Sequence, residues 1–77
     1  MLSLEQVKPG TVVRVKKVEA SGNLHRRILA LGIIPGSTLE VIKMAPLGDP
    51  IEVKLRQSNL VIRKEEAQRI KVEEVTE

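Results

Sequence analysis

The sequence predicts a mainly β fold: a small, strongly bent barrel of about five short strands, with one short α-helix and one further helical turn. Three observations lead there. The chain has only 77 residues, room for one domain spanning residues 1–77, and a domain this small buries roughly 60% of its unfolded surface. Its apolar residues, 42% of the total, alternate with charged ones in short runs, the period of half-buried strands. A period of 3.6 is sustained in one stretch only, residues 24–31.

The elements follow in order. Leu2, Leu4 and Val7 lead into Lys8-Pro9-Gly10-Thr11, a turn, and residues 11–19 form a β-branched strand with Val13 and Val15 inward and Arg14 and Lys16 outward. Ala20-Ser21-Gly22-Asn23 is the loop into the helix, and Asn23 is its expected N-cap. Leu24, Ile28 and Leu31 share one helical face, which Leu29 widens. Gly32 is the expected C-terminal cap, because glycine accepts the left-handed conformation there. Pro35-Gly36 then turns the chain.

Residues 37–44 form the second strand, with Leu39 and Val41 inward. Its Pro-Gly start repeats that of the first, two copies being too few for a repeat architecture. Residues 45–50, Ala45-Pro46-Leu47-Gly48-Asp49-Pro50, make a surface loop around one leucine. Residues 51–56 alternate at every step, Gln57-Ser58-Asn59 is the expected hairpin turn, and residues 60–63 pair back. Residues 64–69 suit one helical turn with Ala67 and Ile70 inward. Residues 70–72 form an edge strand that closes the sheet, and residues 73–77 are a frayed acidic tail. Five strands and so little helix point to a barrel of the SH3-like kind, in which closure removes exposed edges.

Composition narrows the chemistry. Cysteine is absent, which removes disulfides and thiolate metal sites. The one histidine, His25, has arginines as neighbours and no serine and carboxylate partner, so no catalytic residues are assigned and the chain reads as a non-enzyme. One imidazole cannot build a zinc or iron site; a weak oxygen site at Asp49, Glu52 or the acidic tail is the most that the residues offer. No metal ligands or cofactor-binding residues are assigned. No Gly-Lys-Ser or Gly-Lys-Thr ending marks a phosphate loop. The N-terminus lacks a signal-type core, and no apolar run approaches the roughly 20 residues that span a bilayer, so no direct membrane insertion is expected.

Binding is what remains. Thirteen basic against ten acidic residues give a net charge of +3, too little for a nucleic-acid tail, and there are no aromatic residues to stack bases. With Asn23 as N-cap, His25, Arg26 and Arg27 fall in the first turn, where the helix dipole disfavours cations. Either they are a solvated basic face or they meet a partner. His25, Arg26, Arg27, Leu47 and Asp49 are the candidate partner contacts, and Gly32, Pro35 and Gly36 are structural.

The order of three motifs is specific. Arg27-Ile28-Leu29-Ala30-Leu31-Gly32-Ile33-Ile34-Pro35-Gly36, then Ala45-Pro46-Leu47-Gly48-Asp49-Pro50-Ile51, then Ile62-Arg63-Lys64-Glu65-Glu66-Ala67-Gln68-Arg69-Ile70 resembles the ferrous iron transport protein A (FeoA) family from Leu4 to Val72. The resemblance implies an SH3-like barrel in a prokaryotic cytoplasm, peripheral at the inner membrane through its partner. That partner would be the ferrous iron permease, ferrous iron transport protein B, which carries a cytosolic GTPase domain. The implied role is accessory and modulating, with no tightly bound cofactor and at most weak contact with Fe2+ or another transition metal; a weak homo-oligomer is compatible with it. Two departures stand out: Ala30 replaces a frequent acid, and Gln57-Ser58-Asn59 replaces a glycine-containing hairpin. The alternatives are a small basic RNA-binding barrel of KOW-like type, since residues 9–17 resemble the opening strand of such modules, and a weak metal-binding regulatory module.

Overall fold

Two Pro-Gly turns organise the sheet. In the computed structural model, which describes residues 1–75, Thr11 N–H donates to the Lys8 carbonyl at 3.2 Å and Ser37 N–H to the Ile34 carbonyl at 3.0 Å. Gly10 and Gly36 take φ of 91° and 95°, which glycine reaches without steric cost. Each turn is also bonded to the strand that leaves the other. Gly10 N–H donates to the Val41 carbonyl and Val41 N–H to that of Thr11, at 2.7 and 3.0 Å; Gly36 N–H donates to the Val15 carbonyl and Val15 N–H to that of Ser37, both at 2.8 Å. The repeated Pro-Gly motif is thus a reciprocal clamp across one antiparallel pair.

Six strands form one sheet: β1 (Leu2–Ser3), β2 (Val12–Val18), β3 (Thr38–Met44), β4 (Ile51–Leu55), β5 (Ser58–Ile62) and β6 (Ile70–Glu74), in the order β1-β6-β2-β3-β4-β5. Between them stand α1 (Gly22–Ala30), α2 (Lys64–Ala67), a short 3-10 turn, Leu4–Gln6, and a tight turn at Pro46–Gly48 whose Leu47 is not helical. Register shifts between Val15 and Lys17 and between Val41 and Lys43 add the local twist that bends a sheet. Alternation places Val13, Val15, Leu39, Val41, Val53 and Val72 fully inside, where Ile28 of α1 and Ala67 of α2 cover them. The mainly β class, the inward valines of β2 and the inward Ala67 and Ile70 are as the sequence predicts.

Several expectations need correction. Among the described residues there are six strands rather than about five, because Leu2 and Ser3 pair with Val72 and Lys71. β6 is no edge strand: it lies between β1 and β2. Glu73 and Glu74, expected in a frayed tail, pair with Arg14 and Val13, and Val75 N–H donates to the Val12 carbonyl at 2.9 Å; residues 76–77 of that tail lie outside the described residues. The hairpin turn is Arg56-Gln57, not Gln57-Ser58-Asn59, since Leu55 pairs with Ser58. Leu29 does not widen the buried face of α1; it is exposed. No helix among the described residues is long and apolar enough to cross a membrane.

Candidate functional site

The helix α1 begins two residues before the point that an Asn23 cap would set, with Ser21 as N-cap in extended conformation. Asn23 is a helical residue whose Oδ1 accepts a hydrogen bond from Arg26 Nη1 at 2.8 Å. The shift removes the clash with the dipole. Arg27 now lies in the last turn, where a cation is favoured. Gly32 closes the helix as expected, with φ of 88° and its N–H donating to the Leu29 carbonyl at 2.9 Å.

Arg27 has a structural task. Its Nε and Nη2 donate to Glu66 Oε2 at 3.1 and 3.0 Å, and Nη2 also donates to Glu65 Oε1 at 3.0 Å. Those bonds, first to Glu65 and then to Glu66, raise the pKa of the guanidinium above its ordinary value. Glu66 is buried, and its other oxygen accepts Arg63 N–H at 2.9 Å, so its carboxylate is bonded on both oxygens. Asp49 reaches the start of the same short helix from the 45–50 loop. Oδ1 accepts Lys64 N–H at 3.1 Å and Oδ2 accepts Arg63 Nη2 at 3.3 Å. The structure therefore brings Arg27 and Asp49 to one element, α2, and docks α1 and the 45–50 loop against it.

Leu47 is different. It is 95% exposed, and its φ of 71° puts a non-glycine residue in the left-handed region, which costs about 1 kcal/mol. The conformation is that of the third residue of a type II turn, which Pro46 prepares and the Gly48 N–H closes on the Ala45 carbonyl at 2.8 Å; glycine would take it at lower energy. Beside it, Met44, Pro46, Pro50 and the exposed Val61 line a shallow groove. Of the five candidate contacts, then, Leu47 is exposed, Arg26 is exposed with its Nη1 bonded to Asn23, Arg27 and Asp49 are held in ion pairs, and His25 is half-buried.

A second concavity, of about 560 Å³, opens between the turn after α1 and the β4–β5 hairpin, where Lys54 and Arg56 meet Ile34. The sequence reading missed these residues. The available signal was the hairpin without a glycine, since Arg56 holds φ at 58°. Among the described residues no group of three or more His, Cys, Asp or Glu side chains is placed to hold a metal ion.

These features define a class: a small SH3-like β domain built on one aliphatic core, with ion pairs that fasten its two helices and the 45–50 loop at the surface. A family model described as "FeoA domain" matches residues 2–74, so the chain belongs to the FeoA domain family. It is 33% identical over 72 residues to an Fe(2+) transport protein A/Fe(2+) transporter FeoB fusion protein of Porphyromonas gingivalis, covering 94% of this chain and 8% of that one. The solution structure of iron(II) transport protein A from Clostridium thermocellum superposes with a TM-score of 0.90 at 42% identity, over 96% of this chain and 46% of that one. A crystal structure of Stenotrophomonas maltophilia FeoA complexed with zinc, described as an SH3 domain protein, gives a TM-score of 0.80 at 25% identity, over 95% of this chain and 91% of that one. The chain thus spans less than half the length of the first two of these relatives.

Proposed function

We propose that this chain is a non-enzymatic accessory domain of ferrous iron uptake that docks on the cytosolic, GTPase-containing part of the ferrous iron permease and modulates it. The observation that carries this reading is the fused relative, in which a segment 33% identical to this chain is part of the same polypeptide as an Fe(2+) transporter. Fusion keeps two modules at high effective concentration, which is useful when they act on one another. The geometry supports a binding role. Glu65, Glu66 and Asp49 are bonded to Arg27 and Arg63, so these acids serve to hold α1 and the 45–50 loop against α2. Leu47 is exposed beside the groove of Met44, Pro46, Pro50 and Val61, an apolar surface of the kind that docking sites offer.

In this reading Leu47 and Arg26 touch the permease, His25 lies at the margin, and Arg27 and Asp49 fix the two contacting segments on α2. Docking places the domain at the cytoplasmic face of the inner membrane. Co-purification from membranes tests it: the tagged chain should retain the permease through a detergent wash, and the Leu47→Asp variant should not. Equal retention by both would remove Leu47 from the interface, and no retention by either would remove the proposal.

A further inference from the structure

The cleft beside Arg56 has a chemistry of its own. One wall is the turn after α1, with the half-exposed Ile34; the other is the end of β4 and its hairpin, with Lys54, Leu55 and Arg56. Strand register orders the floor between them. Glu40 stands opposite Lys54 on one side and Val12 on the other, and in the next row Arg14 faces Thr38. An apolar seat formed by Ile34 and Leu55 therefore lies under a rim that is richer in cations than in acids.

Those cations are uncommitted. Lys54 and Arg56, the two cations that line the cleft, join no ion pair among the described residues, in common with Lys8, Arg14, Arg26, Lys64 and Arg69, whereas Lys16, Lys17, Arg27, Lys43, Arg63 and Lys71 do. Arg56 is also conformationally odd. At φ of 58°, in a two-residue hairpin turn, glycine or asparagine would sit at lower energy. The hairpin register sets that backbone, but nothing in the turn calls for an arginine, and its guanidinium stands at the cleft rim with no ion-pair partner among the described residues.

We propose that Arg56 and Lys54 recognise the carboxylates of an extended acidic segment of a binding partner, whose apolar side chain seats against Ile34 and Leu55. Charge complementarity selects this occupant. Arginine supplies the planar fork that grips a carboxylate in two places, and the adjacent lysine adds a point charge. The inference rests on the docking reading above only in taking the permease as the source of that segment.

The probe is a short peptide, acetyl-Glu-Leu-Glu-amide, titrated into the full chain and followed by amide NMR at low salt, with acetyl-Lys-Leu-Lys-amide as control. The acidic peptide should shift the amides of Thr38, Lys54, Leu55 and Arg56, and the basic one should not. Arg56→Gly should weaken the acidic peptide about tenfold while raising Tm, and Arg56→Lys should fall between, as expected for loss of a bidentate charge-assisted contact. A residue that served only the fold could not move binding and stability in opposite directions. Equal shifts from both peptides, or unchanged affinity in Arg56→Gly, overturn the assignment. The two readings separate cleanly: peptide binding without permease binding sinks the docking partner and leaves the cleft, whereas permease binding with no response to the acidic peptide sinks the cleft alone.

Discussion

Arg27 in α1 and Glu66 in α2, 39 residues apart in sequence, are joined by two hydrogen bonds of 3.1 and 3.0 Å to one carboxylate oxygen. The pair ties the two helices together. Because Glu66 also accepts the Arg63 N–H, its removal strands two donors. Glu66→Ala should destabilise the chain by about 2 kcal/mol in denaturant melts, and Arg27→Met by a smaller amount, since the guanidinium is half-exposed. The two losses should be less than additive in a double mutant, because the substitutions break the same contact.

Gly32 ends α1 with φ of 88°. Its side-chain space is not the obstacle: a Cβ there would meet Leu55 Cδ2 at an ordinary 3.5 Å. The cost is conformational, so Gly32→Ala should lose about 1 kcal/mol and Gly32→Val more, as a β-branched residue is the least tolerant of positive φ. Equal thermal midpoints for wild type and Gly32→Val would refute the cap.

Leu47 should separate stability from binding. Leu47→Gly relieves the left-handed backbone and should raise stability by about 0.5 kcal/mol, the strain relief being partly offset by glycine's greater unfolded entropy. The same change should abolish permease retention. A drop in stability would show that Leu47 packs in the fold.

Glu19 gives the pH test. A hydrogen bond from Lys17 lowers its pKa from the ordinary 4.5, with Lys71 adding to the effect. A lowered folded-state value means that the stabilisation is complete above the ordinary pKa and disappears as pH falls through the folded one. Carboxyl carbon titration should place the Glu19 midpoint below 4.5, and Lys17→Met should move it back up.

Where a residue's role is set by its neighbours in sequence, the sequence was readable. The alternation of Val13 and Val15, the Gly32 cap and both Pro-Gly turns follow from local period and backbone preference alone. Partners far apart in the chain hid the rest. Arg27 looked unexplained because Glu65 and Glu66 are nearly forty residues away. Gln57-Ser58-Asn59 has turn composition, yet pairing of Leu60 with Val53 fixes the register and leaves Arg56 to take the positive φ. β1 is two residues long, too short for any period. Glu73 and Glu74 read as a tail because their order comes from β2, not from their own side chains.

The most direct test of the central claim is calorimetric titration of this chain into the purified cytosolic part of the ferrous iron permease. Saturable binding that is lost in Leu47→Asp but kept in the surface control Lys8→Asp is the expected result. The absence of heat at about 100 μM of each partner, well above the Kd range of specific complexes, would contradict it.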